Sequence, residues 1–300
     1  MRLPHSLLAW TVLALAACTN TVDGAPGDEA SAILGGQENA TTAPAVGALV
    51  HYFNGSDGPL YDNFCTATLI APKLVVTAKH CTMATRGKFG FALGPIARSD
   101  VLQRTGPTRV IEADSFVEVT AIGEGGSLGI GSDVAVVRLT QAITDIAPLP
   151  IADVGPADLG ETMTVVGYGM REDGTRGARR AGKVTVKALS GNALAPLVSF
   201  EAYQEAFGGD VAENRSAYDA TTLLEGYELS VERAPGATGA QPCEGDSGGP
   251  LLRKKGRSFE VLGVASVVFQ KPGAECAYGT VYATFGPKAR TLVEAERGAR

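Results

Sequence analysis

The sequence predicts an all-β protein, a sandwich or barrel, finished by one short C-terminal helix. Three observations carry that expectation. Short apolar stretches rich in Val, Ile, Thr and aromatic residues recur along the chain, each bounded by Gly, Pro, Asp or Asn. Glycine supplies 38 of the 300 residues, against a usual share of about 7%, which suits many tight turns. Hydrophobic residues make up 45% and charged residues 19%. That balance excludes a disordered polymer and a coiled coil alike.

Taken in order, the chain opens on a targeting segment. Met1–Arg2 gives a positive start, and residues 7–17 form an apolar run broken by Thr11 alone. The run fits a signal peptide and falls short of the ~20 residues of a membrane span. Leu15-Ala16-Ala17-Cys18 resembles the lipobox of bacterial lipoproteins, in which the cysteine is acylated and becomes the first residue. That resemblance implies a signal peptide over 1–17, a lipid anchor on Cys18, and a place in the bacterial cell envelope. Residues 18–32 are small, polar and interrupted by Pro and Gly, as in a flexible tether. Strand patterns follow at 45–52, 66–70, 74–78, 134–139, 163–168, 183–188 and 261–269. The glycine-rich run 123–131 lacks the GK[ST] ending of a phosphate-binding loop and reads as a surface loop. Residues 142–160 hold three prolines and no strand period, a link between two halves of similar size. Pro287 opens a helical pattern over 287–296.

Composition narrows the chemistry. The net charge of −6 is spread without long like-charge runs, which argues against a nucleic-acid partner. The three histidines are His5, His51 and His80, and HExxH is absent, so a histidine-rich zinc enzyme is excluded. No metal and no cofactor is expected. Setting Cys18 aside, Cys65, Cys81, Cys243 and Cys276 remain. An even number suits an oxidising compartment and two disulfides in one of three pairings, with neighbours closing the shortest loops, or else four buried thiols.

Three segments concentrate reactive residues: Thr77-Ala78-Lys79-His80-Cys81, Ser132-Asp133-Val134-Ala135-Val136-Val137-Arg138-Leu139, and Gly245-Asp246-Ser247-Gly248-Gly249-Pro250. A serine hydroxyl is a poor nucleophile at neutral pH and needs a base within hydrogen-bond reach. The base needs a carboxylate to set its tautomer and stabilise the imidazolium. Glycines beside the serine let the backbone turn sharply and turn N–H groups toward a developing oxyanion.

These segments resemble the trypsin/chymotrypsin-like serine proteases, with TAKHC where that family commonly reads TAAHC. The order His, Asp, Ser agrees as well. The resemblance spans Ile33 to about Arg300 and implies two six-stranded antiparallel β-barrels, roughly 33–145 and 158–286, with the active site in the cleft between them. It implies His80 as general base, Asp133 as its orienter and Ser247 as nucleophile, with the N–H groups of Gly245 and Ser247 as oxyanion hole. Cys65–Cys81 would close the loop below His80, and Cys243–Cys276 would brace the specificity pocket. Ser266 matches the family serine beside the aspartate. Ile33-Leu34-Gly35-Gly36 resembles the activated N-terminus, whose freed amine would pair with Asp246. Protein or peptide substrates follow, with a protein inhibitor as a further partner.

The chain also departs from the family. Lys79 replaces a small residue beside His80 and must turn outward or disturb the packing behind it. Val267-Val268 stands where an aromatic–glycine wall is usual, Gly167-Tyr168-Gly169 replaces G-W-G, and 190–222 is an inserted surface excursion. Gln241, six before Ser247, would form a neutral pocket base, while Val268 and Thr280 fall where open pockets carry glycines. An elastase-like preference for small apolar residues follows. Residues 18–32 hold no Lys or Arg, and Ala32 precedes Ile33, so such a pocket would accept its own activation site. Two other classes fit parts of the pattern: a lipid-anchored pseudoprotease acting as a binding module, and an esterase. The esterase is disfavoured because its histidine would follow the serine.

Overall fold

The computed structural model describes residues 33–38, 41–55, 58–83, 85, 88–98, 106–120, 127–171, 173–273 and 276–299. Cys18, the signal peptide and the tether lie outside the described residues, as do residues 123–126 of the glycine-rich run.

Six strands close the first barrel: β2 (Val46–Gly55), β3 (Gly58–Ala71), β4 (Leu74–Thr77), β5 (Phe89–Leu93), β6 (Arg109–Glu118) and β7 (Ala135–Leu139), in the order β2-β3-β4-β7-β6-β5. The second closes through β8 (Thr162–Gly167), β9 (Arg180–Ala188), β12 (Glu228–Arg233), β13 (Pro250–Lys255), β14 (Ser258–Val268) and β15 (Thr280–Thr284). Its ring runs β9-β12-β15-β14-β13-β8 and returns to β9, and every pairing is antiparallel.

Side-chain pattern explains the two kinds of strand. In β9 the even positions Gly182, Val184 and Val186 are buried and the odd ones half-exposed, the period of a strand with one face inward. β4, with Leu74, Val75, Val76 and Thr77 all buried, is covered on both faces. One apolar cluster joins Leu49, Val75 and Val137 of the first barrel to Val166, Leu252 and Phe285 of the second. A separate cluster around Val184, Val231 and Tyr282 fills the second barrel and takes in Ile33.

The segments that flank the two barrels cross over. β1 (Gln37–Glu38) pairs with β9 of the second barrel, although it precedes the first. Helix α4 (Pro287–Gly298), begun by Pro287 at its first turn, buries Ala289 and Val293 in the cluster shared with the first barrel. Arg138 of β7 pairs with Glu296 at 2.7 Å.

The excursion over 190–222 is largely helical. β10 (Gly191–Asn192) pairs with β11 (Thr222–Leu223), and between them lie α2 (Phe200–Phe207) and α3 (Val211–Ala220). Ser199 caps α2 by accepting from the Ala202 N–H, and Asp210 caps α3 by accepting from Ala212 and Glu213. Phe200, Tyr203 and Tyr218 pack together, with the Arg215 guanidinium 4.0 Å from the Phe200 ring.

Candidate active site

The first barrel brings two of the three expected residues together. β4 ends at Thr77 and the short helix α1 (Lys79–Met83) begins two residues on, which sets His80 at the turn. A disulfide between Cys65 of β3 and Cys81 pins that turn to the barrel wall. Asp133 follows a 3-10 turn over Ile130–Ser132 and donates its N–H to the Ile130 carbonyl at 2.7 Å. Its carboxylate faces His80: Oδ2 lies 2.8 Å from Nδ1, and Oδ1 accepts the His80 backbone N–H at 2.8 Å. The Asp133 side chain is 13% exposed and that of His80 43%. A shielded carboxylate thus fixes the ring of an accessible imidazole and leaves Nε2 as its basic nitrogen.

The second barrel reaches across to the same carboxylate. The β14–β15 register slips between Ala265 and Val267, so Ser266 sits in a bulge and its hydroxyl donates to Asp133 Oδ2. Glu228, buried at the start of β12, accepts N–H bonds from Gly131 at 2.7 Å and Leu224 at 2.9 Å. It clamps the turn that leads into Asp133, and burial pushes its carboxyl above the ordinary range.

Ser247 lies on the loop between β12 and β13. Its carbonyl accepts the Thr66 N–H at 2.8 Å and the Cys81 sulfur lies 3.7 Å from it, which puts the residue beside the disulfide next to His80. Among the described residues, neither the Gly245 nor the Ser247 N–H donates to a protein acceptor. Between them Asp246 turns inward. It accepts from the Gly169 N–H at 2.8 Å and the Cys243 N–H at 3.0 Å, while burial pushes its carboxyl up to about 7. Gly169 is required by this approach, since a Cβ there would lie 2.5 Å from the Asp246 carboxyl carbon. Cys243–Cys276 is the second disulfide.

The pocket residues also converge. The Gln241 amide donates to Thr280 Oγ1 at 2.7 Å and to the Pro242 carbonyl at 3.2 Å. Val268 stands opposite Thr280 in the β14–β15 register. Leu34 and Gln241 exchange backbone hydrogen bonds at 2.8 Å, and Ile33 is buried beside them. Lys79 turns away from the core, 3.6 Å from Glu118 and 3.4 Å from the Val119 carbonyl. Cys65, His80 and Cys81 cluster within 4.8 Å, but both sulfurs are bonded to each other and cannot ligate an ion.

Thr66, Asn63 and Glu228 are absent from the residues that the sequence singles out. Each acts through a hydrogen bond to a segment more than 90 positions away, and no local motif marks it.

Comparison with known proteins agrees with this geometry. Residues 33–206 and 208–288 match the family model described as Trypsin. A trypsin of Saccharopolyspora erythraea is 28% identical over 259 residues, covering 83% of this chain and 95% of that protein. The thrombin-like enzyme bhalternin of Bothrops alternatus is 29% identical over 208 residues, covering 68% of this chain and 67% of that protein. The solved structure of neuropsin, a serine protease of mouse brain, superposes with a TM-score of 0.55 at 18% identity. It covers 89% of this chain and 100% of neuropsin, and supports the fold. With two closed barrels, a His80–Asp133 pair and a GDSGGP loop bonded to β3 through Thr66, and with the family match over most of its length, the chain belongs to the trypsin family of serine proteases.

Proposed function

We propose that this chain is a serine endopeptidase that cleaves after small apolar residues through an acyl-enzyme. The observation that carries the reading is the pairing of a carboxylate-held His80 with two unengaged N–H groups at Gly245 and Ser247. Ser247 Oγ attacks the scissile carbonyl carbon as His80 Nε2 takes its proton, and the carbonyl oxygen becomes an oxyanion facing those N–H groups. The intermediate collapses, the C–N bond breaks, and the imidazolium gives its proton to the leaving amine. Water, deprotonated by His80, then attacks the acyl-enzyme ester and restores Ser247.

The pocket supports the substrate class. Gln241 is neutral, and Val268 with Thr280 narrows the space above it. An arginine or lysine side chain would find no counter-charge at the base. We place the precursor in the bacterial cell envelope, anchored by acylated Cys18. Cleavage between Ala32 and Ile33 would free the amine for Asp246 and release the protease from its lipid.

Purified protein beginning at Ile33 should react with an alkyl fluorophosphonate, and peptides with Ala or Val before the scissile bond should exceed Arg, Lys and Phe in kcat/KM. A folded but unreactive protein would leave a binding module as the reading. A preference for Arg would overturn the pocket assignment alone.

A further inference from the structure

Thr66 is a buried residue of β3 that sits on none of the three motif segments, yet it touches the loop of Ser247 at two points. Its backbone N–H donates to the Ser247 carbonyl at 2.8 Å. Its hydroxyl donates to the Gly245 carbonyl at 3.1 Å. The same oxygen accepts the Tyr168 N–H at 3.3 Å, and the Tyr168 carbonyl is held in turn by Asn63 Nδ2 at 2.9 Å. The Thr66 carbonyl accepts the Thr77 hydroxyl at 2.8 Å, three positions before His80. One residue thus joins the strand that leads to His80 to both Gly245 and Ser247.

We propose that the Thr66 hydroxyl is a positioning residue for the oxyanion hole, a role that rests on the endopeptidase reading above. Gly245 adopts φ +88°, a region open to glycine and poor in restraint, so its peptide planes need an external hold. The Gly245 carbonyl lies on the peptide that links the two planes carrying the Gly245 and Ser247 N–H groups, and Thr66 Oγ1 grips that linking peptide. A hydroxyl has one proton and two lone pairs. Here the proton goes to Gly245 and a lone pair receives Tyr168, so a single rotor holds both loops that flank the hole. Preorganised donors act on charge that develops in the transition state. Loosening them therefore lowers kcat and leaves ground-state binding in place.

Thr66→Val keeps the shape and the backbone bond to Ser247 while removing both hydroxyl bonds, and Thr66→Ser keeps both. With a trialanine p-nitroanilide, Thr66→Val should lower kcat roughly 10- to 100-fold, less than the ~10²- to 10³-fold of deleting an oxyanion donor outright, with KM within about twofold. Phosphonylation by the fluorophosphonate should slow in parallel, and Thr66→Ser should recover most of both rates. Should the valine protein fail to fold by circular dichroism, Thr66→Ala takes its place in the same comparison. Unchanged kcat in the valine protein, or a serine protein as slow as the valine one, overturns the positioning role while the endopeptidase reading stands. A wild-type protein unreactive toward the fluorophosphonate overturns both.

Discussion

The two barrels hold their halves of the site in different ways. The first presents His80 and Asp133 as side chains at the ends of β4 and before β7, joined directly to each other and backed by the Cys65–Cys81 disulfide. The second presents backbone: the N–H groups of Gly245 and Ser247, set by a loop folded around the buried Asp246. Side chains at strand ends are aimed by the barrel itself. Backbone groups on a glycine-rich loop must be aimed by other residues, and here those include Thr66 of the opposite barrel. In the proposed mechanism the base therefore sits beside its own carboxylate, braced from the second barrel by Ser266, whereas the oxyanion loop carries no such pair and leans on bonds from the first barrel.

The sharpest way to break this comparison is to remove one group from each side. Ser247→Ala should lower turnover by roughly 10⁶-fold, and Asp133→Asn by about 10⁴-fold through the wrong imidazole tautomer. Both proteins should keep their fold by near-ultraviolet circular dichroism. If Asp133→Asn retains half the wild-type kcat, the first barrel does not orient the base as described. Ser266 tests the crossing between barrels, since it reaches from β14 to the Asp133 carboxylate. Loss of one bond to a charged acceptor corresponds to about a tenfold fall in kcat for Ser266→Ala. An unchanged rate would return Asp133 wholly to the first barrel.

The smallest effect is on stability and belongs to the second barrel. Burial pushes Asp246 up to about 7, above the ~3.9 of an unfolded aspartate. A raised carboxyl in the fold means that stability falls as pH climbs between those values, because the folded state resists the charge. Below both values the effect disappears. In urea titrations from pH 4.5 to 7.5, Asp246→Asn should flatten this decline in uncut protein. A cut at Ile33 that brings an ammonium to Asp246 should do so too. A decline equally steep in all three proteins would remove Asp246 as its source.

Much of this was legible because it is local. The 74–78 pattern contains β4 and overruns it by one residue, Pro287 starts α4, and His80, Asp133 and Ser247 stand in short motifs whose order in the chain carries meaning. The paired disulfides, Cys65–Cys81 and Cys243–Cys276, join neighbours in sequence. What was illegible depends on distant partners. The bulge at Ser266 exists because β15 fixes the register on either side of it. Glu228 reads as one more surface acid until Gly131, 97 positions earlier, gives it an N–H to accept. The helices within 190–222 leave little mark on the sequence, because α3 offers a weak apolar face and its capping Asp210 is an ordinary turn residue.

The crossing of the flanking segments makes each barrel custodian of the strap that belongs to the other. β1 rests on β9, and α4 rests on the first barrel through Val293 and the Arg138–Glu296 pair. During synthesis the first barrel emerges complete, but the segment ahead of it waits for β9, and the barrel's own flank stays bare until the last helix arrives. A break in the 142–160 link would accordingly yield two fragments that each carry a strap cut to fit the other. Co-expressed, those halves should find one another unaided, which makes that link the natural seam for a split version of the protein.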